Sequence, residues 1–406
     1  MYTNIDIDKF IKKFITRRDK SLLSNDLSKN NNKLTKKISN ASVLVIGGAG
    51  TIGSSYIKAL LKFNPKKLVV VDINENGLTE LVRDLRSSLS YNIPNDFITY
   101  PVNYGDKVFC KIFKKHGPFK IVANFAAHKH VRSEKDFFSI QAMVENNVLR
   151  ARNLLDLLVE NPPRHFFCVS TDKAANPVNI MGASKKLMEE LIMAYSSKIN
   201  ITTARFANVA FSNGSLLLGF LERLNKNQPW SCPLNIKRFF VSPKESGQLC
   251  LLASVLGKSG DIFFPKLDEN KDMISFDKIA KDLLNYLEIK IDICNSEEQA
   301  KSKAELLNNE LNTFPVYFFQ SDTSGEKTYE EFYTEKEALD LNQFENLGVI
   351  KNSFKRDMRE IDKIFKNLEI LFSQESASKH EIVNVLNKYL STFKHIETGK
   401  GLDQKM

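Results

Sequence analysis

Val43–Ile46 is a continuous apolar, β-branched run that ends in Gly47-Gly48-Ala49-Gly50-Thr51-Ile52-Gly53, and a helical pattern follows over 53–63. Glycines at 47, 50 and 53 between a buried strand and a helix are a variant of the dinucleotide fingerprint. Gly47 permits the tight turn, Gly50 lets backbone approach a pyrophosphate, and Gly53 lets the helix pack closely on the strand. Asp72, nineteen residues beyond Gly53, ends the second apolar run, Leu68–Val71. An acid there accepts hydrogen bonds from an adenosine ribose and repels a 2′-phosphate. Ile73 and Asn74 supply no Arg to offset it. The pattern predicts NAD as the cofactor.

Further apolar runs alternate with helical patterns at Phe97–Val102, Ile121–Phe125, His165–Ser170, Ile201–Arg205 and Asp261–Phe264. Continuous apolar strands separated by helices mark a parallel sheet covered on both faces. The expected fold class is α/β: a Rossmann-like doubly wound parallel sheet, a smaller mixed substrate-binding lobe and helical terminal extensions. The expected division is a basic helical extension over 1–40, an NAD-binding domain over 41–210 with sheet contributions from later segments, a second lobe over 211–344, and a helical extension over 345–406. Pro229, Trp230 and Pro233 mark the second lobe. In the N-terminal extension, Phe10, Ile11, Phe14 and Ile15 read as one helix, followed by a polar linker through Asn30, Asn31 and Asn32. The extension is expected to pack on its own subunit.

The 58 Lys+Arg against 48 Asp+Glu give a net charge of +10, which invites a nucleic-acid reading. Ten of the basic residues and only four Asp fall in residues 1–40, however, so the excess belongs largely to that arm. With no aromatic-interleaved basic motif and no helix-turn-helix signature, no nucleic-acid partner is expected. The five Cys show no CxxC and read as reduced thiols buried as small hydrophobes. No metal site is expected. No apolar run approaches the roughly 18 residues that cross a bilayer, and no secretory h-region follows the N-terminus. A cytoplasmic protein without a transmembrane segment is expected.

The densest chemistry lies in Ser170-Thr171-Asp172-Lys173, at the carboxyl end of a buried strand, where open α/β sheets place their ligands. Met181 and Lys185 follow, one helical turn apart and able to face one cleft. Adjacent Asp172 and Lys173 put an acid and a base side by side at that strand end.

Ser170-Thr-Asp-Lys-Ala-Ala-Asn-Pro177 followed by Asn179-Ile-Met-Gly-Ala-Ser-Lys185 resembles the extended short-chain dehydrogenase/reductase family. Within it, the likeness is to the UDP-N-acetylglucosamine 4,6-dehydratases of bacterial polysaccharide pathways. Asn124-Phe-Ala-Ala127, Lys129-His130-Val131, Arg205-Phe-Ala-Asn208-Val209, Arg238-Phe239-Phe240 and Gly325-Glu-Lys327 with Glu330-Glu331 extend it. The whole-chain plan, through Glu397-Thr-Gly-Lys-Gly-Leu-Asp403, looks most like the soluble dehydratases of legionaminic acid pathways.

The resemblance implies three steps: NAD takes a C4 hydride from the sugar, water leaves across C5–C6, and the hydride returns to C6. It implies Asp172 as the acid, Lys173 as the C5 base, Thr171 orienting Asp172, and Lys185 holding the nicotinamide ribose. Met181 stands where most of the superfamily has a Tyr base, so deprotonation of the 4-hydroxyl passes to Asp172. Lys173 can act as a base only if burial or a neighbouring cation, expected to be Lys185, depresses its pKa.

Cofactor contacts are expected at Gly47, Gly50, Thr51, Ile52, Gly53, Asp72, Asn103, Ala126, Ser170 and Lys185. Substrate contacts are expected at Lys129, His130, Asn208, Arg238, Ser242, Glu326 and Lys327. Ser242-Pro243-Lys244-Glu245 also reads as a helix cap with a capping-box Glu. The implied partner is a UDP-sugar, with a GDP-sugar as the alternative, and the implied assembly is a homodimer or larger homo-oligomer paired through a four-helix bundle. A nucleotide-sugar 4-epimerase and an NAD-binding regulatory protein are the competing readings.

Overall fold

The computed structural model describes residues 5–307, 312–321, 324, 325, 327 and 330–399, with the backbone only of Arg132. The strands, in chain order, are β1 Ser42–Ile46, β2 Lys67–Asp72, β3 Asp96–Pro101, β4 Ile121–Asn124, β5 His165–Val169, β6 Ile201–Ala204, β7 Asn208–Val209, β8 Trp230–Pro233, β9 Lys237–Val241, β10 Ile262–Pro265, β11 Met273–Ser275, β12 Lys290–Cys294, β13 Thr313–Phe319, β14 Ala338–Asp340 and β15 Leu347–Lys351. Nine of them form one sheet in the order β14-β15-β10-β6-β5-β4-β1-β2-β3. From β10 through β3 every pairing is parallel; β15 and β14 add an antiparallel edge. Fully buried Val43–Val45, Leu68–Val71 and Phe166–Phe167 explain why these strands read as unbroken apolar runs.

Helices cover both faces of the sheet. Helix Thr51–Leu61 packs Tyr56, Ile57, Leu60 and Leu61 at zero exposure, each contributing roughly 1.5–3 kcal/mol. The smaller lobe holds two three-stranded sheets, β11-β9-β7 and β12-β13-β8. Its core is Trp230, stacked on Phe220 at 4.6 Å and edge-on to Phe314 at 5.2 Å.

Three expectations change. The Asn30–Asn32 stretch is no linker: it lies inside helix Ser24–Ile38, whose inner face buries Leu34 and Ile38. The asparagines occupy the outer face, and Asn30 Nδ2 donates to the Asp26 carbonyl at 2.9 Å. The segment from 345, expected to be helical, begins with β15 in the main sheet; helices Met358–Phe372 and Lys379–Tyr389 come after it. Of the five free thiols, Cys110 is exposed while the other four are buried.

Both extensions lie against the chain's own core. Phe10, Ile11 and Ile15 enter the lobe core, and Arg18 pairs with Asp272 at 2.9 Å and Glu245 at 3.3 Å. The C-terminal helices cover segments 137–160 and 180–194 through Phe137–Phe372 ring contact at 6.1 Å, Arg152–Asp362 at 2.5 Å and Arg356–Glu190 at 2.6 Å. No helix among the described residues is long and apolar enough to cross a membrane.

Candidate active site

At the carboxyl edge of the sheet, the glycine loop, Asp72, Asn103 and Ala126 enclose a cavity of about 200 Å³. Gly47 has φ +76°, and a Cβ there would lie 2.5 Å from the Ala126 nitrogen. A Cβ on Gly53 would lie 2.2 Å from the Gly47 carbonyl oxygen, so helix and loop touch backbone to backbone. Gly50 differs: its Cβ would meet nothing nearer than 3.6 Å. The room it leaves opens at the N-terminus of helix Thr51–Leu61, where unpaired N–H groups favour an anion. Asp72 Oδ2 accepts from the Ala49 N–H and Oδ1 from Asn74, both at 2.9 Å, which fixes the loop and leaves lone pairs for a ribose. These residues fit the adenosine diphosphate half of a dinucleotide.

The remaining expected cofactor residues are placed less directly. Thr51 Oγ1 accepts from the Asn213 N–H at 2.9 Å, and Lys129 Nζ donates to the Asn213 carbonyl at 2.9 Å. A strap thus runs beside the cavity, with the His130 ring against Gly214. Ser170 Oγ donates to buried Glu189 at 2.7 Å. Lys185 Nζ donates to the Val169 carbonyl at 2.7 Å, and burial lowers its pKa. Ile52 is partly buried against the core.

Across the sheet edge, β5 runs into a 3₁₀ turn, Asp172–Ala174. Asp172 is 4% exposed, so a solvated surface ion pair is excluded. Thr171 Oγ1 donates to Asp172 Oδ1 at 2.7 Å, and the Lys173 backbone N–H donates to the same oxygen at 2.9 Å. Lys173 Nζ lies 3.2 Å from Asp172 Oδ1 and 3.6 Å from Glu330 Oε1. Burial disfavours its charge, but the two carboxylates outweigh burial and hold its pKa above the ordinary lysine value. The expectation that Lys185 depresses Lys173 is therefore corrected: Lys185 is turned to Val169, and Arg238 is the cation that acts on Lys173.

Met181 is 3% exposed and packed in the core, so nothing at that position titrates. Its backbone N–H donates to Glu134 at 2.8 Å. Arg238 is buried at the start of β9 beside Lys237, whose carbonyl it bonds, and Asn208 opens β7 in register with Phe240. Ser242 caps helix Pro243–Leu256 in a capping box with Glu245. Lys327 pairs with Glu331 at 3.8 Å. Glu326 lies outside the described residues.

Several site residues had no role assigned from sequence. Glu330 was legible only as part of a family motif. Arg205, fully buried, forks onto Glu189 at 2.8–2.9 Å and Glu337 at 2.8–2.9 Å, and donates to the Phe332 carbonyl at 2.9 Å. It thereby ties the segment carrying Glu330 to β6. Farther along, the Lys394 and Ile396 N–H groups donate to the Pro177 and Val178 carbonyls, and Gly325 N–H donates to the Ile396 carbonyl. This stretch stitches the loop after Lys173 to the Gly325 turn.

The model of the polysaccharide biosynthesis protein family matches residues 43–352. The chain belongs to that family. It is 31% identical over 320 residues to "uncharacterized membrane protein MJ1061" of Methanocaldococcus jannaschii, covering 76% of this chain and 85% of that one. It is 28% identical to capsular polysaccharide biosynthesis protein CapD of Staphylococcus aureus over 85% of this chain, and spans about half of CapD's length, 54%. Over 57% of this chain and 68% of the relative it is 28% identical to the inverting UDP-N-acetylglucosamine 4,6-dehydratase of Campylobacter jejuni strain 81-176. Among solved structures, Pen from Bacillus thuringiensis superposes with a TM-score of 0.63 at 21% identity, covering 86% of this chain and 98% of that chain. The NAD-bound dTDP-glucose 4,6-dehydratase DesIV of Streptomyces venezuelae gives 0.54 at 17%, covering 72% and 88%. Both share the Rossmann-like α/β fold seen here.

Proposed function

We propose that the chain is a nucleotide-sugar 4,6-dehydratase that uses tightly held NAD and acts on UDP-N-acetylglucosamine, in nonulosonic (legionaminic-type) acid or surface polysaccharide biosynthesis. The observation that carries this reading is an Asp172–Lys173 pair, its carboxylate buried, on the same sheet edge as the dinucleotide cavity. An epimerase has no need of such a pair. NAD, when bound, supplies the acceptor for the C4 hydride and its return to C6.

The chain's residues account for the protons. Asp172, oriented by Thr171, takes the C4 hydroxyl proton and later gives it to the C6 hydroxyl, which leaves as water. Lys173 takes the C5 proton and returns it to C5. Both side chains end in the state in which they began. Arg238 and Lys327 supply positive charge toward the diphosphate of the sugar nucleotide. The test is incubation of purified protein with UDP- and GDP-N-acetylglucosamine, read by mass spectrometry and NMR. The expected product is lighter by one water; no such loss with either sugar defeats the reading, and an isomer of unchanged mass points to epimerisation.

A further inference from the structure

A C5 base must be a free amine when it acts, yet the site surrounds Lys173 with negative charge. Asp172 Oδ1 stands 3.2 Å and Glu330 Oε1 3.6 Å from its ammonium. Asp172 and Glu330 are 4% and 5% exposed, and the Lys173 side chain is 20% exposed. Three titratable groups thus share one largely dry volume, and the further charges that act on Glu330 are Arg238 and Lys327. Thr171 and the Lys173 backbone N–H both donate to Asp172 Oδ1, which orients that carboxylate.

We infer that Glu330 is the proton partner of Lys173: it receives the ammonium proton when substrate covers the pair, and so delivers Lys173 as the amine that attacks the C5 hydrogen. The inference rests on the dehydratase reading and deepens it. Burial, with Asp172 nearby, raises the pKa of Glu330 against the pull of Lys173, so the carboxyl is prepared to hold a proton. Substrate closing over Lys173 removes its remaining water and favours the neutral acid–amine pair over the ion pair. The protons balance. Ammonium and carboxylate become amine and carboxylic acid; the amine takes the C5 proton and later returns it to C5; the pair then recovers its charges.

Glu330 is in this sense a positioning residue that acts through Lys173. The Arg205 fork on Glu337 and Phe332, and the stacking of Phe332 on Phe264, fix the segment that carries it.

The experiment uses the full chain with Glu330→Gln and Glu330→Asp, both checked for unchanged melting temperature. Deuterium entry at C5 from heavy water is followed by NMR beside the absorbance of reduced cofactor. In Glu330→Gln, C5 exchange and water loss are expected to fall about 100-fold while C4 oxidation persists, and Glu330→Asp recovers part of the loss. Exchange within threefold of wild type in Glu330→Gln overturns the inference.

A second measurement needs no sugar: the ¹³C-dimethylated Lys173 resonance, assigned by its absence in Lys173→Arg, is titrated in both proteins. Its midpoint is expected to fall in Glu330→Gln, and an unmoved midpoint overturns the coupling. If wild-type protein removes water from no sugar nucleotide, the dehydratase reading fails, and the titration still decides the Lys173–Glu330 pair.

Discussion

The glycine-loop cavity and the Asp172 cluster lie on the same edge of one sheet but are built differently. The cavity is backbone: Gly47 against Ala126, Gly53 against Gly47, and the first turn of helix Thr51–Leu61. Of its lining, Ile46, Gly47, Ala49 and Gly50 come from one strand–turn–helix unit, Asp72 from the adjacent β2, and Asn103 and Ala126 from the segments after β3 and β4. The cluster is side chain: Asp172 and Lys173 from the end of β5, Arg238 from β9, and Glu330 from a segment held in place by Arg205. Backbone sites tolerate little change of shape, whereas side-chain clusters tolerate shape and fail on charge.

That contrast can be broken most forcefully at Asp172. Asp172→Asn keeps the volume and most hydrogen bonds but cannot exchange the proton. Turnover, measured as water loss from the sugar nucleotide, is expected to fall by about 10²–10⁴-fold with the melting temperature nearly unchanged. A loss below tenfold would take the acid role away from Asp172.

The backbone side is sharpened by two alanines three residues apart. In Gly53→Ala the new Cβ meets the Gly47 carbonyl oxygen at 2.2 Å, and the strain is expected to cost about 1–3 kcal/mol in thermal or denaturant unfolding. Gly50→Ala meets nothing nearer than 3.6 Å, so its stability should match wild type while NAD affinity by calorimetry falls at least tenfold. Equal destabilisation of the two variants would mean that Gly50 serves the fold rather than a ligand.

The smallest effect separates pH dependence of stability from that of catalysis. His165 opens β5, at the far end from Asp172, and burial, aided by Lys37 and Arg164, lowers its pKa to about 3. Its ring bonds Thr202 Oγ1 at 2.7 Å and Asn200 Nδ2 at 3.0 Å. The unfolded chain binds this proton near pH ~6.5, well before the folded protein does, so stability is full above that pH and declines as pH falls. The decline should reach about 2 kcal/mol by pH 5 in denaturant unfolding, and His165→Gln should flatten it without altering the pH profile of turnover.

Legibility in the sequence followed the same division. The glycine loop and Asp72 could be read because strand, turn and helix are contiguous and each glycine answers a local steric demand. Asp172 and Lys173 were legible as a pair at a strand end. Their electrostatics were not, because Glu330 reaches Lys173 only after β14 and β15 have joined the sheet edge and Arg205 has found Glu337. The Asn30–Asn32 stretch misled for the opposite reason: polar composition spoke for a linker, while the spacing of Leu34 and Ile38 on one helical face decided the outcome.

The stitch made by Lys394 and Ile396 on Pro177 and Val178, with Gly325 on Ile396, has a consequence for the order of events during synthesis. Residues 177 and 325 leave the ribosome well before 396 does, so the nascent chain can complete its sheet and glycine loop while the loop beside Lys173 still lacks this partner. On the dehydratase reading, the dinucleotide side can therefore form before the sugar side is complete.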